Sequence, residues 1–106
     1  MPEFDPSGLD RVIHSPVRLA AVAALHSGGE ATFTDLKKLT GTTDGNLTVH
    51  MQVLEQNGII KVRKRFIGRR PQTSYQLTGK GRTIFQNYVA QMALMVKAYS
   101  GGAERG

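Results

Sequence analysis

The chain has 106 residues, a formal charge of +6, a pI near 10.1, 40% hydrophobic residues and no cysteine. That length suits one domain whose small core often gains from pairing with a second copy. Lack of cysteine excludes disulfides, thiol redox sensing, a cysteine nucleophile and thiolate metal sites, and the basic balance argues for an anionic partner.

Residues 1–8 hold Pro2, Pro6 and Gly8 and read as a flexible arm ahead of a domain at 9–99. No basic region precedes an apolar run, so no signal peptide is expected. The longest apolar run, 19–25, is too short to span a membrane, and a cytoplasmic location is expected. Ser15-Pro16 starts a helix that runs to about His26 and stops at Gly28-Gly29. This helix is apolar almost all round, which predicts cover on more than one side, from its own domain and from a partner.

Residues 30–33 form a short extended entry. Thr34 is expected to cap a second helix from Asp35 to Leu39 or Thr40, with Leu36 and Leu39 buried and Gly41 at its end. Thr43-Asp44 opens a third helix that reaches Gln56 and ends at Asn57-Gly58. Residues 59–66 alternate with period two and are β-branched, so they read as a strand. A turn-rich tip at 67–72 and a second strand at 73–77 complete a basic hairpin. Thr78 caps a long last helix over 79–99, and 100–106 read as a flexible tail.

Three helices, a hairpin and a helix (α-α-α-β-β-α) make a winged helix-turn-helix, mainly α with a small β-hairpin, an α+β fold. The hairpin is the wing. From Gln56 to Ala103 there is no Asp or Glu, yet nine of the fourteen basic residues fall there. Such unbalanced charge persists where something anionic neutralises it, and nucleic acid is the commonest such partner.

On the third helix, at about 100° per residue, Leu47, Met51 and Leu54 face the core. Thr43, Gly45, Asn46, Thr48, Val49 and Gln52 form the candidate groove-facing set. Asn and Gln pair with adenine, Thr with bases or phosphate, Val with a thymine methyl, and Gly lets the helix come close. Lys61, Arg63 and Arg65 share one strand face and are expected to track phosphates, while Lys64 falls on the apolar side. Arg69 and Arg70 are expected at the wing tip, for the minor groove.

Ile84, Phe85, Tyr88, Val89, Met92, Met95, Val96 and Tyr99 fill an arc of the last helix wider than a small domain needs. With Leu19 and Val22 of the first helix they are the expected homodimer interface. His50 reads as a packed boundary residue. His14 and His26 lie twelve apart, which is no metal spacing, so neither a metal nor a cofactor is expected. No acid/base or nucleophile constellation survives, so an enzyme is not expected.

The segments LDRVIHSPVRL (9–19), FTDLKKLTG (33–41), TDGNLTVHM (43–51), LEQNG (54–58), GRRPQT (68–73) and YQLTGKGR (75–82) together resemble small winged-helix regulators of the MarR/ArsR-like superfamily, in particular its short winged helix DNA-binding branch. The resemblance implies a homodimeric transcription factor that binds double-stranded DNA, with the helix at 44–56 as reader and the hairpin as wing. MarR wings typically carry an Asp shortly before the wing arginine, whereas Gly68 stands before Arg69 here. The cysteine metal box of metal-sensing ArsR members is missing, and a small-molecule effector is left open. Two other readings stand beside it, a winged helix that binds protein and one that binds RNA, with Phe66 and Tyr75 as the aromatic candidates for stacking.

Overall fold

The structure is a computed structural model and describes residues 6–100. The first helix, α1 (Pro16–Gly28), leads through a short strand, β1 (Glu30–Thr32), into α2 (Phe33–Thr40) and α3 (Asp44–Gln56). The wing follows as β2 (Ile60–Ile67) and β3 (Arg70–Leu77), and α4 (Gly79–Ser100) closes the chain. Helix boundaries follow the local chemistry. Ser15 and Pro16 start α1, and Gly29 ends it at φ 86°. Thr43 caps α3 by accepting the Asn46 amide at 3.2 Å, and Asp44 in the first turn suits the positive end of the helix dipole.

The core is one cluster. Val22 and Leu25 of α1, Leu36 of α2, and Leu47, Met51 and Leu54 of α3 meet Ile59, Ile60, Tyr75 and Leu77 of the sheet. Helix α1 packs against α2, α3, α4 and two strands, and none of its large apolar side chains is exposed. Its all-round apolarity is therefore explained by its central place in this subunit.

Several local expectations need correction. Residues 30–32 form a third strand that pairs antiparallel with β3, in the order β1-β3-β2. The cap of α2 is Thr32, not Thr34. Its hydroxyl accepts the Asp35 amide at 3.1 Å while the Asp35 carboxylate accepts the Thr32 amide at 3.2 Å. Starting two residues earlier, the helix turns Phe33 and Leu36 inward and leaves Leu39 56% exposed. Strand β3 begins at Arg70 rather than Thr73, so the tip shrinks to Gly68-Arg69, with Ile67 opposite Arg70. Gly68 has φ 64° while Arg69 keeps a negative φ, the pattern of a tight two-residue hairpin with glycine first. Of the expected arm, Pro6–Gly8 is a 3-10 turn packed on α4; residues 1–5 and the tail at 101–106 lie outside the described residues.

The cap assignment predicts a contrast. Thr32→Ala should cost about 1 kcal/mol in urea unfolding, whereas Thr34→Ala should stay within a few tenths. Equal losses would return the cap to Thr34.

The root of α4 is docked on the corner between α3 and β2. The Thr78 hydroxyl donates to the Gly58 carbonyl at 2.6 Å and accepts the Gly81 amide at 2.9 Å, while the Thr78 amide donates to the Ile59 carbonyl at 3.0 Å. From there α4 extends for 22 residues in a molecule of 60 × 26 × 22 Å. Among the described residues no helix is long and apolar enough to cross a membrane.

Candidate nucleic-acid interface

The exposed face of α3 carries Gly45, Asn46, Thr48, Val49 and Gln52 together, with Thr43 at its start. Val49 is 57% exposed. A methyl group added at Gly45 would meet nothing within 4 Å, so the subunit itself does not require glycine there. The Thr48 hydroxyl donates to the Asp44 carbonyl at 2.8 Å, which leaves its oxygen free to accept. The nearby Asp44 carboxylate is matched by Lys37 at 2.7 Å.

Sheet register decides what stands beside this face. Ile60, Val62, Lys64 and Phe66 alternate with Lys61, Arg63, Arg65 and Ile67, opposite Leu77, Tyr75, Thr73 and Pro71 in the first set. The first set faces α3. Lys64, Val62 and Thr73 line one concave space with Thr48, Gln52 and Glu55. Lys64 therefore shares a recess with the exposed face of α3, a placement that sequence reasoning missed. The signal was present in the alternation, which puts Lys64 in line with Val62. Where the sheet outruns the core, its inner face becomes a second wall of the recess.

Lys61, Arg63 and Arg65 lie on the opposite face of the sheet, with Arg70 opposite Ile67 on that same face. Arg69 alone sits in the turn. Arg65 donates to the Glu30 carboxylate at 2.7 Å, and the same carboxylate accepts from Ser74 at 2.6 Å and Gln76 at 3.2 Å. Arg65 thus has an acidic partner from outside the acid-free stretch. Gly68 leaves no acid at the tip, but Glu30 supplies one from β1, further down the wing. Hydrogen bonding from Ser74, aided by Arg65 and Arg63 and opposed by partial desolvation, holds the Glu30 carboxyl below its ordinary value of 4.5. Because the folded value is lowered, this brace is complete above pH 4.5 and fades as pH falls through the lowered value. The stability difference between the protein and Glu30→Gln should therefore shrink on acidification, followed by thermal unfolding from about pH 7 to about pH 3. A gap that stays constant with pH would exclude the brace.

The interface residues expected on α1 and α4 divide into two groups. Val22 and Tyr88 are buried within the subunit, and Leu19, Ile84, Phe85 and Met92 pack partly against its core. Val22 and Tyr88 are thus corrected to core residues, because α4 folds its first turns over α1. The His14 ring nitrogen meets the Tyr88 hydroxyl at 2.8 Å, and His26 packs its ring on Phe85. Met95 is half-buried, and Val89, Val96 and Tyr99 are open, Tyr99 at 81%.

The profile of the family described as "winged helix DNA-binding domain" matches residues 17–96, from the start of α1 to Val96 near the end of α4. The chain belongs to the winged helix DNA-binding domain family. The winged helix is 33% identical over 87 residues to the uncharacterized protein MJ0432 of Methanocaldococcus jannaschii, across 82% of this chain and 95% of that one. It superposes with a TM-score of 0.78 and 29% identity on the transcriptional regulator homologue protein from Pyrococcus horikoshii OT3, over 85% of this chain and 89% of that one. BpsR of Bordetella bronchiseptica, whose DNA binding is regulated by 6-hydroxynicotinic acid, shares the fold at a TM-score of 0.70 and 18% identity, over 92% of this chain and 73% of its own. Solved structures of MarR-family and ArsR-family regulators, at 20% and 21% identity, share the fold as well, with TM-scores of 0.73 and 0.56.

Proposed function

We propose that this winged helix is a sequence-specific regulator of transcription that binds double-stranded DNA as a homodimer, with α3 in the major groove and the wing on the minor groove and phosphates. The observation that carries the reading is the exposed ridge of Gly45, Asn46, Val49 and Gln52, uncharged and walled by Lys64 of the wing. A glycine with open space around it costs a helix stability and is of use where something outside must come close. Base edges in the major groove ask for this combination of amide, methyl and close approach.

Pairing is supported by the far half of α4. Val89, Met92, Ala93 and Val96 line one shallow apolar recess, and Tyr99 stands beyond it. The radius of gyration is 16.2 Å, well above the roughly 13 Å of a compact chain of about this length. A protruding apolar helix gains most by meeting its own copy, and a two-fold pair reads two half-sites. RNA binding loses support because Tyr75 is buried, which leaves Phe66 as the single exposed aromatic of the two considered.

Two measurements test the reading. Selection from a genomic fragment pool should enrich a near-palindromic duplex, and sizing should give twice the 11.6 kDa chain. Gly45→Ala should hold its fold, gaining up to about 1 kcal/mol from helix propensity, yet lose affinity for the enriched duplex. No enrichment over random DNA would end the specific-reader proposal, and recovery of a stoichiometric acidic protein without DNA would favour a protein-binding role.

A further inference from the structure

Arg18 stands in the first turn of α1, half-buried, and no carboxylate among the described residues lies within ion-pair distance of it. Its guanidinium is nonetheless fixed at two points. Nε donates to the Val12 carbonyl, and Nη1 donates to Nδ1 of His50 at 2.9 Å. Arginine only donates, so His50 Nδ1 accepts, and in the neutral ring the proton sits on Nε2. No buried side-chain nitrogen lacks a partner among the described residues. Arg18 Nη2 and His50 Nε2 have no partner among those residues, so both open to solvent at the seam of α1 and α3.

The position of this seam is informative. About Leu47, Thr48 and Gln52 lean toward the wing, while Asn46 and His50, four residues apart, lean the other way. The wing recess therefore lies on one flank of the reading face and the Arg18–His50 pair on the other. A cation that is held rigid, partly withdrawn from water and matched by no acid gains most from an anion supplied from outside.

We infer that Arg18 binds a DNA backbone phosphate on the flank of α3 opposite the wing, with His50 Nε2–H as a second donor. This rests on the DNA-binding reading above. The duplex is then gripped on both sides of the groove that α3 enters, by the wing on one strand and by the α1–α3 seam on the other. Arg18 contacts phosphate, so it adds affinity without choosing bases.

The test is the salt dependence of binding to the selected duplex and to a scrambled one. Arg18→Gln should lower the slope of log K against log salt by about 0.9 and weaken both duplexes by the same factor. An unchanged slope in a folded Arg18→Gln protein, with the parent slope intact, overturns this inference alone and makes Arg18 a strut between helices. A parent protein with no salt-dependent duplex binding overturns the DNA-binding reading itself. Should Arg18→Gln fail to fold, the parent protein carries the test. On titration with the scrambled duplex, the Arg18 side-chain and His50 Nε2–H resonances should shift, and resonances that stay in place overturn the inference.

Discussion

Replacing Arg69 and Arg70 together by alanine will weaken duplex binding by about 10- to 100-fold near physiological salt and flatten its salt dependence by about 0.9 for each phosphate left without its cation. Arg69 occupies the turn itself, and Arg70 is the first residue of the returning strand. Both are exposed, and neither has an acidic partner among the described residues. The double variant should unfold like the parent, because nothing in the core depends on the tip. Arg65→Ala is the informative control. Its charge is already answered by Glu30, so it should alter the salt slope far less than the tip pair while lowering stability slightly. Equal slopes for the parent and the tip variant would remove the wing from the interface.

The second large effect concerns Gly81. A β-carbon there would sit 2.0 Å from the Ile59 carbonyl oxygen and 2.9 Å from its carbon, both backbone atoms anchored by the α3–β2 corner. Neither side can yield without breaking the Thr78 hydrogen bonds that seat α4. Gly81→Ala should therefore cost at least about 3 kcal/mol, a fall in Tm of more than about 12 °C for a domain of this size. Gly79 is the internal comparison. It lies on the same helical turn with open space around it, so Gly79→Ala should be neutral or mildly stabilising. A tolerated Gly81→Ala would mean that α4 does not approach the corner as closely as described.

Much of the fold is legible because the helix ends carry their own chemistry: Ser15-Pro16, Thr43-Asp44, Asn57-Gly58 and Thr78 each mark a boundary that the structure keeps to within a residue or two. Strand β1 is harder to read. Three residues cannot display a period, and their pairing depends on β3, more than forty residues later. The shift of the α2 cap from Thr34 to Thr32 had a signal in the sequence: Asp35 stands three residues after Thr32 and closes a capping box, whereas Lys37 stands three after Thr34 and cannot. Leu39 illustrates a limit of amphipathic reasoning in short helices. Both Leu36 and Leu39 are expected inward from the sequence, and the structure buries Leu36 but leaves Leu39 exposed.

At the candidate interface, the amino-acid types on α3 can be read from the helical wheel, but the sidedness of the wing needs the sheet. Alternation separates Lys64 from Lys61, Arg63 and Arg65, yet only the packing of α3 against the inner face says which set shares the recess. Charge counting along the chain also hides Glu30, because the acid that answers Arg65 comes from a different part of the sequence. The Arg18–His50 link is likewise invisible to spacing, since the two residues are brought together by the crossing of α1 and α3.

The central strand of the sheet is flanked on both sides, and one flank is β1, the link between α1 and α2. A two-stranded wing could pivot at its root like a flap. Here Glu30 reaches across to Arg65, Ser74 and Gln76, so that freedom is removed. Helix α3 and the root of the wing also share one core, through Leu47, Met51 and Leu54 against Ile60, Tyr75 and Leu77. On the proposed homodimeric reading, a signal that changes the grip on a double helix would act on the separation of the two subunits rather than on the opening of one.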